Sequence, residues 1–450
     1  MKSCWIDSVK ERNKFDALEE NIKTDICIIG GGLAGLSTAY NLSKYKIRTV
    51  LLEKDEICKQ TSGNSTAKIT SQHGLIYKYL TDSKGKDFAR KYYDANEEAI
   101  RTIKDIIDKE KIDCDFEYQP AYVFTQKVQE VEKIKDEVQA VNNFGGNSKL
   151  IEAKDIEINK LNSADYVENK GAKLKISGDN IEKENLDLER DTVKERMKQV
   201  LPIKAIAGIK FENQAQFNPY KYGNAIAKIC SDSGIKIFEH SKVVDVDTED
   251  DDEYYVVTLE NGCKVKAKYI VITTKYPIVN IPGFYFVKMY QSTSYGIAMQ
   301  TREQLFKGMY ISSEEPTISL RTAKFGDENL LIVVGFDHKT GAPIDLSNAY
   351  KYLEEVAKSL CPEGKIKYHW NTEDCITLDK IPYIGNFSSM WDNAYVATGF
   401  NKWGITTSII AAKIITDKIL GEKNEYEEIF KATRLEPIKN IKEVTNMVKE

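Results

Sequence analysis

A glycine-rich turn near the amino terminus constrains this chain more than any other feature. The sequence passes from an apolar segment into the spacing G-x-G-x-x-G at residues 30–35, and then into a segment with helical character. A second apolar segment follows and closes with the acid Glu53. An apolar strand, a glycine turn, a helix, a second strand and a closing acid together predict a dinucleotide-binding β-α-β unit.

Each part of this unit has a physical role. Gly30 lets the chain turn sharply off the first strand, Gly32 lets the backbone approach a pyrophosphate, and Gly35 lets the helix pack closely on the strand. The N–H groups that open the helix then face the phosphates. Glu53 has the spacing of a carboxylate that accepts hydrogen bonds from a ribose with a free 2′-hydroxyl.

Composition and charge narrow the class of protein. The 450 residues leave room for two or three domains, and 42% of them are hydrophobic. A net charge of -5 argues against a nucleic-acid partner. No apolar segment approaches the roughly 20 residues that span a bilayer, and the first residues lack a signal-peptide core. We therefore expect a cytoplasmic protein without a membrane span.

The cysteines and histidines do not form a metal-binding pattern. The eight cysteines contain no C-x-x-C pair, and the four histidines show neither C-x-H nor H-x-x-x-H spacing. This pattern favours reduced thiols over disulfides and predicts no protein-ligated metal.

Periodicity predicts how the chain is organised. Apolar residues at helical spacing predict helices at 86–109, 126–143, 347–360 and 406–420. A strand meander is expected over 236–274, and its continuously apolar end suggests a buried parallel strand that rejoins the first sheet. Residues 163–198 are dominated by Lys, Glu, Asp and Asn, which is typical of an inserted excursion.

A second strand-turn-helix offers another half of a cofactor site. The predicted strand 394–399 ends at Gly399, and Gly404 precedes the last long helix. A helix N-terminus at this point would stabilise negative charge on a reduced flavin ring. The loop 61–68 is rich in small polar residues and could cradle the cofactor from the other side, with Lys68 as a cation near the ring.

These motifs resemble a known superfamily. The residues 30–39, Glu53, the loop 61–68, the stretch Asp379-Lys380-Ile381-Pro382-Tyr383-Ile384-Gly385 and the turn 399–406 are similar to the FAD-dependent D-amino-acid oxidase, glycine oxidase and sarcosine oxidase superfamily. Residues 3–5, 71–77, 211–217 and 402–406 resemble its branch of uncharacterised oxidoreductases that often carry a C-terminal Rieske domain. No Cys-x-His pair occurs here, so we expect no Rieske domain in this chain.

The resemblance implies an α/β fold with two domains. One is a Rossmann-like FAD-binding domain, a parallel sheet with helices and a β-meander, expected at 1–80, 205–285 and 370–425. The other is a substrate domain with a mixed, largely antiparallel sheet, expected at 81–204 and 286–369 and including the charged insertion. Residues 426–450 are predicted to form a C-terminal tail.

The resemblance also assigns cofactor contacts, with FAD bound non-covalently. The residues expected to contact FAD are Gly30, Gly32, Leu33, Ala34, Gly35, Glu53, Lys54, Thr61, Ser62, Asn64, Thr66, Ala67, Val243, Val244, Thr273, Thr274, Gly399, Trp403, Gly404, Ile405 and Thr406.

On the substrate side, the resemblance implies oxidation of a C–N bond by hydride transfer to flavin N5, followed by hydrolysis of the imine. Relatives that act on glycine or D-amino acids hold the substrate carboxylate with an arginine shortly before the Asp379 stretch. Asp374 stands there in this chain. A carboxylate would repel an amino-acid carboxylate and attract a cation, which predicts an amine substrate or an amino acid oriented differently.

Other interpretations remain open at this stage. Asp374 could instead lie in a solvated acidic turn, and Arg321 could bind a carboxylate or form a surface ion pair. His73 could line the flavin, act as a base, or be held structurally, and Lys68 is included with these three as a candidate catalytic residue. The electron acceptor would be oxygen or a separate molecule. The alternatives for the whole chain are an electron-transfer flavin subunit without amine chemistry and an NAD-dependent dehydrogenase.

Overall fold

The computed structural model describes residues 2–161, 203–249, 253–343 and 346–434. Its α-helices are α1 (Cys4–Asp7), α2 (Leu33–Leu42), α3 (Tyr77–Lys84), α4 (Lys86–Glu110), α5 (Val131–Asn143), α6 (Pro219–Asp232), α7 (Leu346–Leu360), α8 (Gly404–Leu420) and α9 (Glu427–Phe430). Its strands are β1 (Ile22–Ile29), β2 (Thr49–Leu52), β3 (Lys68–Ile69), β4 (Glu117–Tyr118), β5 (Ala121–Thr125), β6 (Lys149–Glu152), β7 (Ala207–Phe211), β8 (Ala215–Gln216), β9 (Lys236–Phe238), β10 (Val243–Thr248), β11 (Tyr255–Leu259), β12 (Lys264–Ile272), β13 (Met289–Thr301), β14 (Met309–Ser312), β15 (Ile318–Phe325), β16 (Glu328–Lys339), β17 (Lys365–Thr377), β18 (Tyr383–Asn386) and β19 (Ala394–Thr398).

The first sheet carries the predicted β-α-β unit. Strands β19, β12, β1, β2 and β9 run parallel in that order, and β10, β11 and β12 form an antiparallel meander. Ile28 of β1 lies opposite Val271 of β12, and both residues are buried. Burial is expected for the central strands of a parallel sheet, because both faces of such a sheet are covered. The prediction that the meander rejoins the first sheet is confirmed.

The second sheet is largely antiparallel. Its strand order is β17-β13-β16-β15-β14-β5-β7-β6, and only the β14 and β5 pair is parallel. Helix α7 packs on this sheet and buries Tyr352 and Leu353. A small third sheet joins β3, β8 and β4. The predicted fold class, a parallel FAD-type sheet with a meander and a second mixed sheet, is confirmed.

Two parts of the sequence interpretation need comment. The charged insertion at 163–198 lies outside the described residues, so its structure stays a prediction, as do the domain boundaries. The predicted tail begins with the helix α9, and Arg434 just beyond it donates to both carboxylate oxygens of Asp379 at 2.7 and 2.9 Å. None of the described helices combines the length and the apolar composition needed to cross a bilayer.

The topology explains where a site can form. The parallel strands β1, β12 and β19 all end at one edge of the first sheet, and helices α2 and α8 start there and pack against each other. Open α/β sheets bind ligands at the carboxyl ends of their strands. The last residues of β17, which belongs to the second sheet, also come close to the loop 61–68. Thr61 Oγ1 of that loop donates to the Glu373 carbonyl oxygen at 3.1 Å.

Candidate cofactor and substrate site

A cavity of about 420 Å³ lies at this edge, between the two large sheets. The predicted residues that line it are Gly30, Gly32, Leu33, Ala34, Glu53, Lys54, Thr61, Ser62, Thr66, Ala67, Lys68, Val243, Thr273, Thr274, Asp374, Gly399, Trp403, Gly404 and Ile405. The predicted residues that lie outside its lining are Gly35, Asn64, His73, Val244, Arg321 and Thr406.

The glycine turn leaves no space for side chains at two positions. Gly30 has a φ of +111°, and a Cβ there would lie 3.0 Å from the Thr273 backbone. A Cβ on Gly35 would lie 2.0 Å from the Gly30 carbonyl oxygen, which is closer than any real contact. Gly35 therefore acts through helix packing, because it brings the start of α2 against β1.

The Glu53 carboxylate closes the dinucleotide unit as predicted from the spacing. The N–H of Gly31 donates to its Oε2 at 2.7 Å, and the N–H of Asp55 donates to its Oε1 at 3.0 Å. Burial raises the pKa of Glu53, and these two donors oppose that shift. The carboxylate is thus fixed in the cavity wall, where its remaining lone pairs can accept bonds from ribose hydroxyls.

Two helix N-termini point at the cavity. Helix α2 begins after Gly32, and the N–H of Leu33 donates a hydrogen bond to Ser62 Oγ at 3.2 Å. Helix α8 begins after Trp403, whose side chain supplies no capping hydrogen bond. The unbonded N–H groups of a helix start favour negative charge. The two positive ends suit the pyrophosphate and the electron-rich edge of a flavin, respectively.

One orphaned polar atom supports the fit to a cofactor. Thr274 Oγ1 is buried in the cavity wall, and it has no hydrogen-bond partner among the described residues. Its neighbour Thr273, by contrast, donates to the Ile29 or Gly30 carbonyl oxygen at 3.0 Å. A buried hydroxyl without a partner is costly, so a ligand in the cavity is the natural partner for Thr274. The residues present fit FAD.

The loop 61–68 is held from behind. The Arg321 guanidinium is buried and donates to the carbonyl oxygens of Thr66 and Ala67 at 2.9 and 2.7 Å. It also lies over the Trp5 ring, 5.0 Å from the ring centroid, and Trp5 Nε1 donates to the Ser65 carbonyl oxygen at 2.9 Å. Arg321 therefore supports the cofactor loop and lies outside the cavity lining. Its burial corrects the alternative of a surface ion pair, and its binding of a substrate carboxylate stays a prediction.

Lys68 lines the cavity, but its amino group is directed elsewhere. Lys68 Nζ donates to the Tyr310 carbonyl oxygen at 2.7 Å, inside the protein. Burial, together with the nearby Arg321, holds the pKa of Lys68 well below its ordinary value. The predicted cation near the ring is thus committed to a structural bond between the loop and the second sheet.

His73 lies behind Trp403. Its ring is stacked on Trp403 with centroids 4.9 Å apart, and Nε2 lies 2.9 Å from the Thr70 carbonyl oxygen. Since a carbonyl can only accept, Nε2 carries the proton and Nδ1 accepts from the Tyr92 hydroxyl at 2.7 Å. Burial lowers the pKa of His73 to about 3. A neutral, fully bonded histidine outside the cavity fits the structural alternative.

The other predicted residues that lie outside the cavity lining are Val244, Asn64 and Thr406. The β10 strand is irregular between Val243 and Asp245, and Val244 is half exposed while Val243 lines the cavity. The Asn64 carbonyl accepts from Trp370 Nε1 at 2.9 Å, which fastens the loop to β17. Thr406 lies in the first turn of α8, with its hydroxyl 3.4 Å from the Thr70 carbonyl oxygen.

The part of the cavity wall predicted to face the substrate, here called the substrate wall, is a cluster of charges around Asp374. Asp374 lines the cavity, and within the described residues its carboxylate accepts no hydrogen bond. Burial raises the pKa of Asp374 to about 6, while Lys402 and Lys275 lower it and the two neighbouring carboxylates raise it. The group is therefore an available carboxylate whose proton affinity is higher than usual.

The two lining lysines that act on the pKa of Asp374, Lys275 and Lys402, have carboxylate partners outside the lining. Lys275 Nζ lies 2.5 Å from Glu373 Oε2, and Lys402 Nζ lies 2.8 Å from Asp337 Oδ2. These partners offset the two positive charges, so Asp374 is the wall carboxylate left to receive a cation.

The sequence interpretation missed several wall residues. Lys275, Tyr276, Cys375, Phe400 and Lys402 all line the cavity. Lys402 begins the stretch 402–406 that was already singled out by its resemblance, and Lys275 directly follows the predicted strand end. Position beside a cofactor turn was thus the available signal for both lysines.

Comparison with known proteins identifies a protein family. The family model described as FAD dependent oxidoreductase (DAO) matches residues 25–418 of this chain. YhfW of Bacillus subtilis (strain 168), whose name describes a Rieske 2Fe-2S iron-sulfur protein, is 33% identical over 420 residues, 93% of this chain and 73% of YhfW. Gamma-glutamylputrescine oxidoreductase of Escherichia coli (strain K12) is 23% identical over 435 residues, 94% of this chain and 90% of that protein.

A solved structure supports the fold. Glycine oxidase from Geobacillus kaustophilus superposes with a TM-score of 0.71 over 93% of this chain and 100% of its own, at 13% identity. At that identity the similarity concerns the fold alone. The resemblance predicted from the motifs is confirmed.

Proposed function

This chain belongs to the family of FAD dependent oxidoreductases, and on that premise we propose that it oxidises a C–N bond of an amine or amino acid. The alternative of an NAD-dependent dehydrogenase does not fit this family. When bound, FAD supplies the hydride acceptor at flavin N5. The chain's own contribution is to bind and orient the nitrogen, control its proton and exclude water.

The observation that carries this proposal is Asp374. No described residue donates a hydrogen bond to its carboxylate, which lines the same cavity as the start of α8. A substrate ammonium would pair with it, because the lysines nearby are already paired with Glu373 and Asp337. With a pKa of about 6, the carboxylate is ionised at neutral pH and is a stronger base than an ordinary aspartate. We assign to it the removal of a proton from the substrate nitrogen, which leaves a neutral amine.

The residues expected beside the cofactor also contribute to the proposed reaction. The N-terminus of α8 would favour negative charge on a flavin ring bound beside it, and Trp403 and Phe400, which line the cavity, would shield that ring from water. Burial raises the pKa of the Cys375 thiol to about 12, so the thiol is protonated and a poor nucleophile. This supports non-covalent FAD. The acceptor that reoxidises the flavin, oxygen or a separate molecule, is left open.

The names of the relatives point the same way. Gamma-glutamylputrescine oxidoreductase and glycine oxidase are named for an amine and an amino acid. A substrate bearing a cationic nitrogen is therefore the first class to test here.

The test compares Asp374→Asn with Glu373→Gln, a neighbouring carboxylate on the same strand. Steady-state kinetics would be measured with amines, polyamines, glycine, sarcosine, proline and D-amino acids from pH 5 to 9. For the best substrate, we expect kcat/KM of the native protein to rise with pH through about 6, as Asp374 ionises. Asp374→Asn should lower kcat/KM by about 100-fold and abolish this limb.

The control variant sharpens the result. Glu373→Gln should retain the limb, because Asp374 is intact, but at lower pH, because it removes a carboxylate that raises the pKa of Asp374 and releases Lys275, which lowers it. Its flavin absorbance should be unchanged. An Asp374→Asn enzyme with native kcat/KM and a native pH profile would remove Asp374 from the site. Activity on no nitrogen compound, with reduction by a partner protein instead, would favour the electron-transfer subunit.

A further inference from the structure

One edge of strand β17 is held by loops from the cofactor side of the cavity. Among the described strands β17 pairs only with β13, so its other edge has no strand partner. Thr61 Oγ1 donates to the Glu373 carbonyl oxygen at 3.1 Å. The Asn401 N–H donates to the Cys375 carbonyl oxygen, also at 3.1 Å. Asp374 therefore lies between two carbonyl groups that bind the cofactor-side loops.

The Asn401 side chain makes two further hydrogen bonds to β17. Its Oδ1 accepts from the Thr377 N–H at 2.8 Å and from the Thr377 hydroxyl at 3.1 Å. The Asn401 backbone is left-handed, with a φ of +51°, and asparagine and aspartate adopt this conformation more readily than most residues. The buried Nδ2 has no hydrogen-bond partner among the described residues, so the oxygen alone carries the side-chain bonds.

The turn that contains Asn401 also forms part of the cavity. Its neighbours Phe400 and Lys402 line the cavity, and the turn leads directly into α8. The turn and β17 approach closely, since a Cβ on Gly399 would lie 2.3 Å from Thr377 Cγ2. The bonds of Asn401 therefore join the start of α8 to the strand that carries Asp374.

We propose that Asn401 is a positioning residue, which holds Asp374 at a fixed distance from the cofactor turn. This inference rests on the proposed function, because it deepens the role given there to Asp374. A group that removes a proton must lie within hydrogen-bond reach of it, and a displacement of about 1 Å can cost about 100-fold in rate. Asn401 lies outside the cavity lining and acts through Asp374.

Three variants of the FAD-loaded full chain test this assignment. Asn401→Gly keeps the left-handed backbone and the N–H donor, but it removes the acceptor for Thr377. Asn401→Asp keeps the acceptor, and it loses no hydrogen bond at the position of Nδ2. Asn393→Gly is the matched control, because Asn393 is also left-handed, with a φ of +56°, and lies outside the cavity lining.

Amide hydrogen exchange measures the junction without any substrate. Peptides that span residues 373–379 would be followed by mass spectrometry. We expect the Thr377 amide to exchange about tenfold faster or more in Asn401→Gly, because Asn401 Oδ1 is its acceptor. Exchange should stay at the native rate in Asn401→Asp and Asn393→Gly.

The rate of flavin reduction measures the consequence for the reaction. It would be followed without oxygen, per bound flavin, at saturating amine and at about pH 8, where Asp374 is ionised. We expect Asn401→Gly to lower this rate about tenfold or more, and Asn401→Asp to restore most of it. Asn393→Gly should retain the native rate. A general loss of stability would lower the amount of bound flavin and not the rate per flavin.

The two readouts separate this inference from the proposed function. A native reduction rate in Asn401→Gly would overturn the positioning role and leave the proposed function standing. Native exchange at Thr377 in that variant, or a rate in Asn401→Asp as low as in Asn401→Gly, would also overturn it. A native flavin that no nitrogen compound reduces would overturn both together.

A second variant covers the case in which Asn401→Gly does not fold. Thr377→Val keeps a branched side chain in the strand and removes the hydroxyl that donates to Asn401 Oδ1. It should slow flavin reduction, and a native rate in this variant would overturn the positioning role.

Discussion

The two walls of the cavity are built in different ways. The cofactor wall is made mainly of backbone: the Gly30 turn, the starts of α2 and α8, and an acid fixed by N–H donors. The substrate wall is made of side chains that converge from separate parts of the chain, with Asp374 on β17, Lys275 after β12 and Lys402 after β19. The backbone wall follows from the fold itself. The side chains of the other wall can differ between proteins of the same fold, so they can set the choice of substrate.

The largest expected effect sharpens the backbone side of this comparison. Gly35→Ala places a Cβ 2.0 Å from the Gly30 carbonyl oxygen, so α2 must move away from β1. We expect the free energy of unfolding of the apoprotein to fall by about 3 kcal/mol and FAD affinity to be lost with it. Denaturant unfolding and flavin absorbance of the purified protein measure the two effects.

A matched variant at Gly32 isolates the cofactor. A Cβ there has only Ser62 Oγ nearby, at 3.3 Å, and Gly32 lines the cavity. Gly32→Ala should leave apoprotein stability unchanged or slightly higher, and weaken FAD binding at least about tenfold. Equal stability losses in both variants would show that the turn is a packing feature and not a cofactor contact.

The next effect tests on which wall Arg321 acts. Arg321→Met leaves the buried carbonyls of Thr66 and Ala67 without their donor, which should lower the free energy of unfolding by about 2 kcal/mol and weaken FAD retention. The KM for substrate should change little in the fraction that retains FAD. If instead full FAD retention accompanied a large rise in KM for an amino acid, Arg321 would belong to the substrate wall.

The sequence predicted the backbone wall well and the side-chain wall in part. Glycine spacing and a strand-end acid depend on local geometry, so the turn at 30–35 and Glu53 could be predicted without a structure. Asp374, which lines the cavity, was predicted from its place before a recognised stretch, and its role stays a prediction. Its partners Asp337 and Lys402 are joined only by the folding of distant segments, which no local pattern encodes.

Two predicted residues lie outside the cavity lining for reasons that their spacing does not show. Arg321 lies in β15, where residues 318–322 are all buried, so the strand lacks the alternation that separates a core face from a solvent face. Val244 lies at an irregularity in β10 that shifts the register by one residue. Tertiary packing and bulges decide such positions, and neither is visible in composition or spacing.

A smaller effect tests the coupling within the substrate wall. Lys402 holds the pKa of Asp374 down, so Lys402→Met should move the acid limb of the pH profile of kcat/KM to higher pH than in the native protein. Combining it with Asp337→Asn removes a charge of each sign, and the limb should return toward 6. A limb that does not move in either variant would show that the titrating group is not Asp374.

The most direct measurement of the central claim is the visible flavin spectrum of the FAD-loaded protein without oxygen, as amines and their N-acetylated analogues are added singly. The account predicts that at least one amine bleaches the flavin, that its neutral analogue does not, and that Asp374→Asn slows the bleaching. A flavin that no nitrogen compound bleaches, while a partner protein or an alcohol reduces it readily, would contradict C–N oxidation at this site.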